Sequence, residues 1–108
     1  MLTIKTSTYR YPGPDRLDIT VKGQDPIGKA FAPTWDMVMG IKKNTMSQEE
    51  YVNRYAKILA NIPPRILHDI LSRESVTLVC FCKPGTFCHR YLAAMFLASI
   101  GGVYKGEI

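Results

Sequence analysis

Apolar and polar residues change their period several times along this chain, and each change marks an element. Leu2-Thr3-Ile4-Lys5-Thr6-Ser7-Thr8-Tyr9 is rich in β-branched residues and reads as a first strand. Tyr11-Pro12-Gly13-Pro14-Asp15 turns the chain. In Arg16-Leu17-Asp18-Ile19-Thr20-Val21 three apolar residues alternate with Asp18 and Thr20, which predicts a second strand with those two polar residues on one face. After a loop over 23–28, a short helix is predicted over 32–39, starting at Pro33 or Thr34. Ser47-Gln48-Glu49-Glu50 has the form of a capping box and opens a helix running to about Asn61. Tyr51, Tyr55, Ile58, Leu59 and Ile62 are its apolar stripe. Pro63-Pro64 stops it, and a further helix covers 66–71. Val76-Thr77-Leu78-Val79-Cys80-Phe81 is almost uniformly apolar, the pattern of a central strand buried on both faces. Lys83-Pro84-Gly85 turns the chain into a helix that begins at Cys88 or His89 and ends near Gly101-Gly102. Val103-Tyr104-Lys105 reads as a last short strand.

Strands and helices interleave without repeat, linker or low-complexity tract. The expected architecture is a single α/β domain over 1–108, a Rossmann-like sandwich with a mostly parallel sheet flanked by helices. Such sheets bind ligands beyond the carboxyl ends of their strands, where the loop after Cys82 falls. Composition adds a partner class. The net charge of +5 favours phosphate-bearing ligands, and the 14 basic residues are scattered, Lys42-Lys43 being the only adjacent pair. This fits a folded patch better than a polybasic tail. The start of the chain lacks a signal-peptide pattern and three cysteines cannot all pair, so a reducing cytoplasmic setting is expected. The longest apolar run, 91–98, is far short of the roughly 20 residues a membrane span needs. No membrane partner is expected.

The chemistry concentrates in Cys80-Phe81-Cys82-Lys83-Pro84-Gly85-Thr86-Phe87-Cys88-His89-Arg90, which holds all three cysteines and one of two histidines. A loop that opens a helix aims free N–H groups at one spot. At that position, beside His89 and Arg90, Cys88 has its thiolate favoured, and the same features suit an anion. Spacing excludes several chemistries. A cysteine-phosphatase loop needs Arg six residues after Cys, but Cys88 follows Cys82 and Thr86 follows Cys80 at that interval. Neither a Cys-x-x-Cys redox motif nor a Walker loop is present. Zinc is admitted by the types of Cys80, Cys82, Cys88 and His89, but Cys88 and His89 are adjacent and should diverge at a helix start. No cofactor is therefore expected. Cys80, inside the apolar strand, reads as a core residue, His68 as structural or surface, and Trp35, Tyr51 and Tyr55 as core rather than a stacking platform. Asp18 is open to three roles: catalytic carboxylate, partner of Arg90, or solvated side chain.

The run Val76 to Cys82 followed by Phe87-Cys88-His89-Arg90-Tyr91-Leu92-Ala93-Ala94 resembles the Cys-His-Arg branch of the YeaO-like proteins, a domain of unknown function. Arg16-Leu17-Asp18-Ile19-Thr20 and Tyr51-Val52-Asn53-Arg54-Tyr55 resemble that family's early Asp-bearing strand and Tyr-x-x-x-Tyr helix. Cys82 stands where the family pattern usually has Glu, and the short length resembles compact variants from phage and mobile elements. The resemblance implies an α/β fold and a shared site at Cys88, His89 and Arg90, and it implies no particular reaction.

The functional expectation is a domain that binds a nucleotide or a nucleic-acid-derived phosphate ligand. Arg90, Cys82, Lys83, Gly85, Thr86 and Thr20 would hold it, and Cys88, His89 and Asp18 would act on it if hydrolase or transferase chemistry follows. The alternatives are a non-catalytic nucleotide sequestering or sensing protein, and a thiol-redox or zinc-binding protein. Tyr and Met residues would serve a homodimer as well as they serve a core.

Overall fold

The computed structural model describes residues 1–82 and 85–108. The elements run β1 (Thr3–Thr8), β2 (Arg16–Asp18), a 3-10 turn (Gly28–Phe31), α1 (Trp35–Lys42), α2 (Gln48–Ala60), α3 (Pro64–Leu71), β3 (Ser75–Cys80), α4 (His89–Ser99) and β4 (Val103–Glu107). The four strands form one parallel sheet in the order β2-β3-β1-β4. The α/β expectation holds, with β3 inside the sheet between β2 and β1. Among the described residues no helix is long and apolar enough to cross a membrane.

Strand parity explains the layering. In parallel pairs, register partners point to the same side. Ile4 is opposite Val76, and Leu78 is opposite both Thr6 and Leu17. Ile4, Leu17, Val76 and Leu78 enter one core cluster with Met37 of α1, Tyr51, Tyr55 and Leu59 of α2, Ile66 and Ile70 of α3, and Ala93, Ala94 and Leu97 of α4. All four helices thus contribute to the face carried by this parity. The other parity is polar apart from the buried Val79 and meets the β1–β2 connection. There Asp15 accepts hydrogen bonds from Tyr11 Oη (2.7 Å), Ser75 Oγ (2.9 Å) and Thr77 Oγ1 (3.0 Å), with Lys5 Nζ at 3.6 Å. Burial opposes the charge of Asp15, but these hydroxyls and Lys5 hold its pKa below the ordinary value. This connection carries no helix, as the turn read at Tyr11–Asp15 predicts. Pro12, Gly13 and Pro14 suit a turn and cannot sustain a helix.

Local chemistry sets the element ends. Thr34 caps α1 by accepting from Met37 N–H, and Ser47 caps α2 by accepting from Glu50 N–H at 3.0 Å. The Glu50 carboxylate pairs with Arg54 at 2.7 Å instead of returning to Ser47. β2 stops at Asp18 rather than Val21, because Asp18 Oδ1 accepts from both the backbone N–H (2.9 Å) and the hydroxyl (2.7 Å) of Thr20 and turns the chain. β3 stops at Cys80. Phe81 is 68% exposed and stacks on Tyr9 at 4.1 Å, outside the strand expected to hold it. Tyr55, read as core, is core, and its buried hydroxyl donates to Phe31 C=O at 2.7 Å.

Candidate functional site

At the carboxyl end of β3 the chain brings three sulfurs together. Sγ of Cys80, Cys82 and Cys88 lie within 4.8 Å of one another, Cys80 to Cys88 at 2.7 Å, and all three are free cysteines. Cys80 arrives as the last residue of β3 on the parity facing the helices, and Cys88 is the N-cap of α4. Three cysteines this close could hold a metal ion. Hydrogen bonds from the Cys82 and Cys88 thiols push the Cys80 pKa far down, with burial opposing and His89 assisting. The same bonds raise Cys88 and Cys82 above the ordinary thiol value.

His89 is buried against this cluster. Its Nε2 meets the Ile19 carbonyl at 2.7 Å, so Nε2 carries the proton and Nδ1 keeps a lone pair, 3.7 Å from Cys88 Sγ. The Tyr55 ring packs edge-on to the imidazole at 5.7 Å. Cys88 and His89 do not diverge as their adjacency suggests, because Cys88 is extended and only His89 is helical. Burial lowers the His89 pKa below its ordinary 6.5. Between the folded value and 6.5 the unfolded chain binds more protons at this residue, so its contribution is complete above pH 6.5 and is lost as pH falls toward the folded value. The urea midpoint is expected to drop between pH 7.5 and 5.5 in the wild type and to change less in His89→Gln. Identical pH profiles would count against a buried neutral imidazole.

Arg90 takes a different place from the ligand clamp expected of it. It is 0% exposed, and its N–H groups end inside the protein. Nε and Nη2 donate to the Glu107 carboxylate at 3.3 and 2.8 Å, and Nη2 also donates to Tyr91 Oη at 3.0 Å. Nη1 donates to Cys80 Sγ and to the Cys82 carbonyl, both at 2.9 Å. Burial would weaken the cation, but Glu107 and Cys80 keep it charged. Arg90 thus ties β3, α4 and β4 together behind the sulfurs. Asp18 is not its partner: Oδ2 of Asp18 accepts from Tyr9 Oη at 3.2 Å, and Oδ1 holds Thr20. Gly85, at φ +79°, donates its N–H to Tyr91 Oη at 3.1 Å, and Thr86 is exposed on the same loop. Lys83 lies outside the described residues. Glu107 and Tyr91 escape a sequence reading. The signal for Glu107 is the rule that a buried arginine needs a carboxylate.

A cavity of about 440 Å³ opens onto the cluster. Thr20, Cys80, Cys82, Cys88 and His89 line it, together with Tyr51, Phe81 and Phe87. Trp35, Lys22 and Lys42 also border it. Trp35 is not core: it is 51% exposed, with Lys22 Nζ 5.3 Å from its ring centre. The site is thus a mostly apolar pocket bordered by the cysteines and His89 and by Lys22 and Lys42.

No curated protein and no solved structure matches the chain. The family model DUF488-N3a, described as the active DUF488-N3 subclade, matches residues 3–101, and with that match over nearly its whole length the chain belongs to this family of unknown function.

Proposed function

We propose that this protein binds a nucleotide, or a phosphate-bearing piece of nucleic acid, in the pocket beside Cys80, Cys82, Cys88 and His89. The observation that carries the reading is the pocket itself. Its size suits a small ligand, its walls are largely apolar, and among the described residues the basic side chains that border it are Lys22 and Lys42. These lysines, rather than Arg90, meet the phosphate, with Thr20 beside them. Turnover of the ligand, as a hydrolase or transferase, would draw on Cys88 and His89, whose Sγ and Nδ1 lie 3.7 Å apart at the pocket wall. The word "active" in the family's description agrees with an enzyme, and binding without product would instead make the protein a sequestering or sensing module. Within the family, the run Cys88-His89-Arg90 supports a reading of the chain as a member of the YeaO-like Cys-His-Arg branch. A cytoplasmic setting suits three thiols that stay reduced.

Trp35 is the chain's one tryptophan and borders the pocket, so its fluorescence reports ligand entry directly. Nucleotides are expected to change the emission saturably, and replacing both Lys22 and Lys42 by Ala should weaken binding about tenfold or more, the scale of a lost charge-assisted contact. No response to any nucleotide or to inorganic phosphate would overturn the reading. A second reading, a zinc or thiol-redox protein, is favoured by the three converging sulfurs.

A further inference from the structure

We propose that Cys80, Cys82 and Cys88 bind zinc as a three-thiolate site whose fourth position opens into the pocket, where an anionic oxygen of the ligand occupies it. This rests on the zinc reading above and adds that the metal is reachable by ligand. Three protein ligands plus one exchangeable position is the arrangement of reactive zinc sites, whereas purely structural sites close all four. The described cluster has three sulfurs, and each of the three residues lines the cavity, so an ion held there faces the space a ligand would enter. Zn–S bonds of about 2.3 Å put tetrahedral sulfurs about 3.8 Å apart. Metal entry therefore spreads the Cys80–Cys88 pair from 2.7 Å by about 1 Å, while the cluster as a whole already lies within 4.8 Å.

The surroundings are those a metal thiolate uses. Arg90 Nη1 donates to Cys80 Sγ at 2.9 Å, and its positive charge offsets the net negative charge of three thiolates around a divalent ion. His89 lies beside one sulfur only, with Nδ1 3.7 Å from Cys88 Sγ, and its ring is anchored by Ile19. From that place it borders the open position as a proton acceptor and does not complete the ligand set.

Cobalt(II) tests this in the full chain, reduced and freed of metal. One equivalent is expected to produce a thiolate-to-cobalt charge-transfer band and four-coordinate visible bands. Inorganic phosphate or azide is expected to shift the visible bands, and His89→Gln to retain both. Cys82→Ser, at the partly exposed sulfur, should weaken cobalt binding at least about tenfold. Absence of the band would overturn the zinc reading and this inference together. A band that ignores anions and collapses in His89→Gln would overturn the open position alone, with His89 as fourth ligand. Unchanged affinity in Cys82→Ser would overturn the three-sulfur assignment.

Discussion

Arg90→Ala is expected to destabilise the fold by about 3–5 kcal/mol, the scale of a buried ion pair broken on one side. The substitution strands the Glu107 carboxylate, which is only 23% exposed, and removes donors from Cys80 Sγ, the Cys82 carbonyl and Tyr91 Oη at once. Urea unfolding followed by circular dichroism measures the loss. Arg90→Lys should recover only part of it, because an ammonium cannot engage the carboxylate with two parallel bonds and reach the sulfur as well. An Arg90→Ala protein as stable as wild type, with phosphate affinity lost, would instead restore Arg90 to the ligand. Glu107 carries the matching pH signature. Burial opposes its charge, but the bonds from Arg90 and Thr6 depress its pKa below the ordinary 4.5. That contribution is complete above pH 4.5 and fades as pH falls through the depressed value, so its loss begins at a lower pH than that of His89, which begins at 6.5.

Gly28→Ala should cost several kcal/mol and disturb the site from a distance. A Cβ on Gly28 would run into the Asp18 carbonyl oxygen, which is backbone and cannot swing aside as a flexible side chain can. Overpacking of a tight core typically costs about 1–3 kcal/mol, and a clash with backbone falls at or beyond the upper end. The displaced segment is the Asp18–Thr20 turn, which carries the Ile19 carbonyl that orients His89. Two readouts are therefore expected to move together: a lower denaturation midpoint, and a changed imidazole resonance for His89 in spectra of the folded fraction. A midpoint within about 0.5 kcal/mol of wild type, the range of ordinary surface changes, would show that the turn accommodates the methyl group.

Much of this molecule is written in local pattern. The apolar run of β3, the stripe Tyr51-Tyr55-Leu59-Ile62, the caps at Thr34 and Ser47 and the loop-to-helix junction at Cys88 are all legible because they depend on residues a few positions apart. That local record suffices for the α/β class and for drawing attention to the segment between Cys80 and Arg90 as the candidate site. It misplaces what depends on distant partners. The apolar strand around Cys80 favours a core reading, although Cys82, Cys88 and His89 close by admit a metal. The role of Cys80 appears when α4 folds back to set Cys88 and Arg90 beside it. Arg90 looks like an anion clamp until β4 delivers Glu107, 17 residues on. Trp35 looks like core until α1 is seen to border the pocket with half its surface exposed. The periodicity of the chain therefore determined the elements, their order and the segment that carries the sulfurs. Tertiary structure alone decided which sulfurs converge, which groups face the pocket and which only support it, because burial and pairing depend on neighbours that the fold brings from elsewhere in the chain.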